Sequence, residues 1–230
     1  MMRKPQDTAL DAWLECHRSA LASCRRCAHN EHVRPIASIA RAPRAMLVGQ
    51  APGKVESEGG RPFAGRAGAT LFRWLAQAGI DEAMARERIY ISAMTRCYPG
   101  PSPSGRGDRV PSPAERALCA SWLDDELRMI RPRLLIPVGR LAIDRFLEPL
   151  PLHLLIGREH AAALPGGGET RVIPLPHPSG ASSWIHEPGH RELVAQALER
   201  IGRALRELGI VRAGTAETTT PAPPSIRSVA

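Results

Sequence analysis

Five cysteines, Cys16, Cys24, Cys27, Cys97 and Cys119, are the side chains in this sequence with the widest chemical reach. Cys24-Arg25-Arg26-Cys27 is a C-x-x-C pair. In a chain read as cytoplasmic, structural disulfides are not expected, which leaves a metal site, a redox pair or no shared site. A zinc ribbon normally carries two such knuckles, and only one is present. Cys97 and Cys119 would complete a four-thiolate site if the fold brought them to the pair, and such a set suits zinc or an iron–sulfur cluster. Spacing alone leaves cluster, zinc and no shared site open. His17, His29 and His32 lie near the pair on a polar stretch and read as surface histidines.

Two short segments carry the remaining chemistry. Gly49-Gln50-Ala51-Pro52-Gly53 and Pro176-His177-Pro178-Ser179-Gly180 each follow an apolar run. The first is not a phosphate loop. Its glycines are too close together, and Val55 follows Lys54 where a Ser or Thr would hold magnesium. Gly65-Arg66-Ala67-Gly68 lacks the dinucleotide fingerprint. No serine nucleophile elbow occurs.

The elements that must position these segments alternate. Short apolar runs at Ala45–Val48, Arg88–Ser92, Leu134–Val138 and Arg171–Leu175 read as strands. Amphipathic stretches at Thr8–Ser23, Ala67–Ala78, Arg140–Leu147 and Arg191–Leu208 read as helices, and Gly79 and Gly209 stop two of them. Ser112-Pro113-Ala114-Glu115 is a capping box with proline at the first helical position, opening a helix to about Met129. Pro99–Pro113, rich in proline and glycine, is a long surface loop. This order predicts a mostly parallel four-stranded sheet covered by helices on both faces, with ligands at the carboxyl edge of its strands. The two chemical segments would meet there. One domain is expected over 1–212, with a disordered Thr/Pro/Ala/Ser-rich tail at 213–230.

Composition bounds the rest. The chain has 230 residues, 43% of them hydrophobic and 23% charged, which excludes a disordered, collagenous or coiled-coil protein. No apolar run approaches the ~18–20 residues of a membrane span, and no secretory signal is evident. No membrane partner is therefore expected, and a soluble cytoplasmic protein is. The net charge of +8 suggests an anionic partner, with nucleic acid the commonest. Yet only Lys4 and Lys54 among 31 basic residues are lysines, so the charge also fits the codon bias of a GC-rich genome.

These residues together resemble a family. From about Cys24 to Leu208 the chain is similar to uracil-DNA glycosylases of the iron–sulfur type, family 4 of their superfamily. The landmarks, in order, are the C-x-x-C pair, GQAPG-x-x-E at Gly49–Glu56, GRPFAGRAG at Gly60–Gly68, YISAMTRC ending at Cys97, the helical Cys119, LLIPVG at Leu134–Gly139 and HPSG at His177–Gly180. The resemblance implies a three-layer α/β/α fold. It implies a 4Fe-4S cluster on Cys24, Cys27, Cys97 and Cys119, with Cys16 left as a helix-face residue.

The resemblance also assigns roles. Excision of uracil breaks the bond from deoxyribose to N1, and negative charge spreads toward O2 of the departing base. His177 would donate a hydrogen bond to that oxygen, where charge develops. Phe63 would stack on the extruded base, and Glu56 would exclude thymine's methyl group near C5. Gly49, Ala51, Gly53, Ser92, Ala93 and Ser179 would line the base site. Two positions depart from the family. Gln50 replaces the usual glutamate and could only position water through its amide. Ala93 replaces the asparagine that reads N3–H and O4, and the sole asparagine, Asn30, lies beside the C-x-x-C pair. The reader is therefore expected among the Ser92–Met94 backbone, the Ser92 hydroxyl and a basic side chain from the Arg106–Arg109 loop, with the loop and backbone together favoured.

Arg106 and Arg109 are also candidates for phosphate contacts, and Trp184, with Ile185, for the apolar wedge that fills the vacated duplex position. The expected function is a monomeric, nucleoid-associated repair glycosylase. It would flip uracil from single- or double-stranded DNA, release free uracil and leave an abasic site. The alternatives are a relative that binds uracil-DNA or traps it covalently, and a non-catalytic iron–sulfur protein that binds nucleic acid.

Overall fold

The structure is a computed structural model that describes residues 5–27, 33–104, 107–179 and 183–212. Its elements in chain order are α1 (Pro5–Ala22), β1 (Ala45–Gly49), α2 (Lys54–Gly59), α3 (Arg66–Gln77), α4 (Glu82–Arg88), β2 (Ile89–Ala93), α5 (Pro113–Ile130), β3 (Leu134–Pro137), α6 (Arg140–Ile143), α7 (Leu152–Leu155), β4 (His160–Ala163), β5 (Glu169–Val172), a 3₁₀ turn (Ser183–His186) and α8 (His190–Glu207).

Strand order is β2-β1-β3-β5-β4. The first four strands are parallel, and β4 runs antiparallel to β5 at the edge. The expected mostly parallel sheet is present with a fifth strand. The sequence hides β4 because His160-Ala161-Ala162-Ala163 contains no β-branched or aromatic residue. Its strand state comes from the turn that follows, where Gly166, Gly167 and Gly168 all take positive φ, open to glycine, and fold β5 back alongside it. The strand expected at Arg171–Leu175 begins earlier, at Glu169, and beyond Val172 it keeps only an isolated bridge from Leu175 to Val138.

Successive strand residues point to opposite faces, so the sheet builds two cores. Ala45, Leu47, Ile89, Ile91, Leu134 and Ile136 pack with α3, α4 and α8. Met46, Val48, Tyr90 and Leu135 pack with α1 and α5. The result is the three-layer α/β/α arrangement. The capping box forms as expected: Ser112 Oγ accepts the Glu115 N–H at 3.2 Å, and Glu115 accepts the Ser112 N–H at 2.7 Å. Helices α2 and α4 were not expected, because segments so short carry little hydrophobic periodicity. The helix expected at Arg140–Leu147 stops at Ile143 and continues as turns.

β1 pairs in parallel with β2 on one side and β3 on the other, each reached by a crossover, so the chain winds outward from β1 in both directions. Its carboxyl end therefore borders the point where strand order switches, the usual ligand crevice of such sheets. The tail expected at 213–230 lies outside the described residues. Among the described residues, no helix is long and apolar enough to cross a membrane.

Candidate active site and cysteine cavity

An open pocket of about 700 Å³ occupies that crevice. It is lined by the turn after β1, the end of β2, the start of α3, Val138 after β3, the loop before α5, and His177 with Ser179 after β5. The structure thus brings together Gly49, Gln50, Ala51, Gly53, Glu56, Phe63, Ser92, Ala93, Arg109, His177 and Ser179. Arg106 lies outside the described residues, as do His29, Asn30, His32 and Gly180.

The turn after β1 is stitched to the end of β2. Met94 N–H donates to the Gly49 carbonyl at 3.0 Å, and Thr95 N–H to the Gln50 carbonyl at 3.3 Å. Gly49 also leaves room for Phe63: a Cβ there would lie 2.9 Å from the tip of the phenyl ring. Phe63 itself has φ +50°, a left-handed conformation that costs a non-glycine residue of order 1–3 kcal/mol. Buried Arg86 holds it there, donating to the Pro62 carbonyl at 2.7 Å and the Phe63 carbonyl at 3.2 Å. Nothing in the local sequence pairs Arg86 with Phe63, so the sequence did not reveal this clamp.

Glu56 is buried and lies three residues beyond Gly53, at the start of α2. One carboxylate oxygen accepts Gly53 N–H and the other Gly65 N–H, both at 3.0 Å. It ties the β1 turn to the entrance of α3. Any effect on a base's C5 comes from a carboxylate already fully engaged.

His177 shows a defined tautomer. The Ser179 backbone N–H can only donate, and it points to Nδ1 at 3.3 Å, with Ser179 Oγ 2.9 Å from the same nitrogen. Nδ1 is therefore the acceptor, and Nε2 carries the proton. Burial pushes the His177 pKa below the usual imidazole range, so the ring is a neutral Nε2–H donor at neutral pH.

This geometry bears on five expectations. The Ser92 hydroxyl donates to Glu126 at 2.9 Å on the far side of the sheet, so it cannot read a base. The Met94 amide is likewise spent on Gly49. Arg109 is locked to Glu115, with Nη1 2.7 Å from Oε2 and Nη2 on the other oxygen. That pairing holds the Glu115 carboxyl down at about 2 and makes Arg109 an anchor for the loop. Trp184 stacks on His190, with ring centroids 4.0 Å apart, and with Ile185 packs half-buried on the core. His17, read as a surface residue, is buried.

His17 belongs to a hub the sequence did not reveal. Glu126 on α5 is fully buried and accepts from His17 Nε2 at 3.0 Å, Tyr90 Oη at 2.8 Å, Ser92 Oγ and the Arg96 guanidinium. Burial alone would raise its pKa, but the Arg96 charge, the His17 and Tyr90 hydrogen bonds hold it below the usual carboxylate range. The hub fastens α1, β2 and α5 around the path to Cys97.

Beside the hub, Cys24, Cys27, Cys97 and Cys119 line one small cavity, with Thr95, Arg96 and Trp122 in the same wall. No disulfide joins the five cysteines, and Cys16 is exposed on α1. Thr95 Oγ1, Arg96 Nε and Trp122 Nε1 are buried without a hydrogen-bond partner among the described residues. Buried donors are normally satisfied, so this wall suits an electron-rich occupant. Among the described residues, no three His, Cys, Asp or Glu side chains converge closely enough for one metal ion. The cysteines ring a space and do not meet at a point.

The family model for the uracil DNA glycosylase superfamily matches residues 37–200, a span that includes every element from β1 to most of α8. The chain belongs to the uracil DNA glycosylase superfamily. Among its relatives, a type-4 uracil-DNA glycosylase of Archaeoglobus fulgidus is 29% identical over 189 residues, covering 79% of this chain and 88% of that protein. A type-4 uracil-DNA glycosylase of Thermotoga maritima is 33% identical over 136 residues, 59% of this chain and 65% of that protein. A type-5 uracil-DNA glycosylase of Pyrobaculum aerophilum is 34% identical over 110 residues, 43% of this chain and 46% of its own length. The pocket at the switch in strand order holds the residues that the resemblance names for the base site.

Proposed function

We propose that the chain excises uracil from DNA by hydrolysing the N-glycosidic bond, releasing free uracil and leaving an abasic site. The observation that carries this reading is the neutral His177 Nε2–H, fixed by Ser179 at the edge of a pocket that also holds the strained Phe63. The base would leave the stack, since its glycosidic bond is out of reach inside a duplex. Phe63 would stack against it, worth about 1–3 kcal/mol for any base. As the bond lengthens, negative charge gathers on O2, and the His177 donor stabilises it there more than in the ground state. A neutral donor does this without giving up its proton.

The substrate is uracil-containing DNA, single- or double-stranded, met by a monomer in the cytoplasm on the nucleoid. The cofactor proposed is a 4Fe-4S cluster on Cys24, Cys27, Cys97 and Cys119. A single zinc would draw four thiolates to about 2.3 Å around one point, whereas a cluster offers each thiolate its own iron. Cysteines around a space, with unpartnered donors in its wall, favour the cluster. When bound, it would supply a structural bond between the segment after α1, the end of β2 and α5.

The experiment is incubation of the purified protein with an oligonucleotide containing one uracil, followed by alkali. Strand cleavage at that position supports the reading. A mobility shift with intact base, or a gel-stable adduct, would replace it with the binding or trapping alternative.

A further inference from the structure

The sequence offers no carboxylate in the turn after β1, where Gln50 and Ala51 stand, yet hydrolysis needs a group that accepts a proton from the attacking water. We infer that Asp108 supplies it. This rests on the glycosylase reading above and adds to it the identity of the water-activating group.

The inference comes from the pocket wall. Its carboxylates, among the described residues, are Glu56 and Asp108. Glu56 has both oxygens on the backbone amides of Gly53 and Gly65. Protonating it would sacrifice one of two charge-assisted hydrogen bonds. His177 accepts a backbone N–H at Nδ1 and carries its proton on Nε2, so it is a donor and cannot also be the base. Glu115, nearby, is locked to Arg109 with a pKa of about 2, too weak a base for this step. Asp108 remains.

Its placement is built, although it sits in a proline- and glycine-rich loop. Ser102 N–H donates to the Gly107 carbonyl at 2.9 Å and Arg109 N–H to the Gly100 carbonyl at 3.1 Å, with a bridge between Pro101 and Asp108. These bonds pair the two sides of the loop and set Gly107 and Asp108 in the pocket wall. The Arg109–Glu115 pair fastens its base to the start of α5. The Tyr98 phenol shares a hydrogen bond with the Asp108 carboxylate. The carboxylate ends against the β1 turn: a Cβ on Gly53 would lie 2.8 Å from Asp108 Oδ2 and 2.7 Å from Glu56 Oε2. Asp108 occupies the space that a side chain at position 53 would fill.

The C1′–N1 bond breaks and its electron pair leaves with uracil, toward the His177 side of the pocket. The sugar becomes cationic, and the negative Asp108 stabilises it. Water oxygen forms the new bond to C1′, its proton passes to Asp108, and that proton is returned through solvent to the uracil anion. Anion and cation are thus met by a donor and a carboxylate on different walls.

The test is single-turnover excision on a single-stranded oligonucleotide with one uracil, where duplex opening plays no part. Wild-type activity is read first, and its absence would sink the glycosylase reading and not this one. Asp108→Asn should lower the rate by about 10²-fold or more, the usual scale of general-base catalysis, with oligonucleotide affinity unchanged. Added formate should restore part of the rate to Asp108→Ala, where the carboxylate's space is empty, and none to His177→Ala. Asp125→Asn, on an exposed ion pair of α5, should behave as wild type. An Asp108→Asn rate within threefold of wild type overturns the inference. So does a rate loss in Asp108→Ala that formate leaves untouched.

Discussion

Arg86→Ala is expected to slow uracil excision by loosening a residue the substitution never touches. Arg86 is 8% exposed, and its guanidinium lies 4.4 Å over the Phe72 ring. It donates to two consecutive carbonyls, Pro62 at 2.7 Å and Phe63 at 3.2 Å, and to Glu82 at 2.9 Å. Hydrogen bonds to a charged group contribute about 1.5–3 kcal/mol each. Relaxation and water entry after truncation would recover part, so a stability loss of about 2–4 kcal/mol is expected. A domain with the usual ~5–15 kcal/mol still folds. The functional effect comes from Phe63, whose φ of +50° stores strain that the two carbonyl bonds offset. Releasing about 1–2 kcal/mol of it lowers the population with the ring in place by about 5–30-fold. The loss should appear as weaker use of substrate, in KM more than in kcat, because the ring stacks on the base before the bond breaks. Steady-state excision on single-stranded substrate, beside a thermal melt, measures both quantities. Arg86→Lys keeps the charge and should fall between. A folded Arg86→Ala variant with unchanged kcat/KM would refute the link between this arginine and the site.

Four further outcomes are expected. His177→Ala should lose about 10²–10³ in kcat, the scale of one removed donor to a developing anion, while DNA affinity, set by phosphate contacts, holds. Because burial lowers the His177 pKa, the folded protein resists protonation where the unfolded chain accepts it; this contribution to stability should fall as pH drops below the usual imidazole range, and a His177→Ala melting series should lack it. Glu126→Gln leaves buried Arg96 without its counter-charge, and a loss of about 3–5 kcal/mol is expected in chemical denaturation. Protein prepared without oxygen should contain iron and absorb near about 400 nm; Cys97→Ala should lose iron and solubility, Cys16→Ala neither, and stoichiometric zinc would contradict the cluster.

The layered fold was legible because the strands are apolar runs between amphipathic helices, a pattern that depends only on neighbours. What escaped depends on distance or on absent side chains. Strand β4 is nearly all alanine and is set by the glycine turn after it. His17 looked solvated because its partner, Glu126, is far along the chain and on another helix. Arg109 looked like a free cation because the sequence shows Glu115 as a cap and not as an ion-pair partner. The reverse error hid Asp108, since an aspartate among prolines and glycines resembles solvated loop. His177 was readable: a histidine leaving a strand at the carboxyl edge of a parallel sheet has few places to go but the crevice. Ser92 was not, because a strand's alternation turned its hydroxyl to the opposite face from the pocket.

The most direct test is the product itself. Wild-type protein is incubated with three single-stranded oligonucleotides identical except for one uracil, cytosine or thymine, and the free base is quantified by mass spectrometry. The proposed function predicts one uracil released per uracil-containing strand, matched by one abasic site, and no base from the other two. Uracil that stays attached to its strand, or release of cytosine at a comparable rate, would contradict the account.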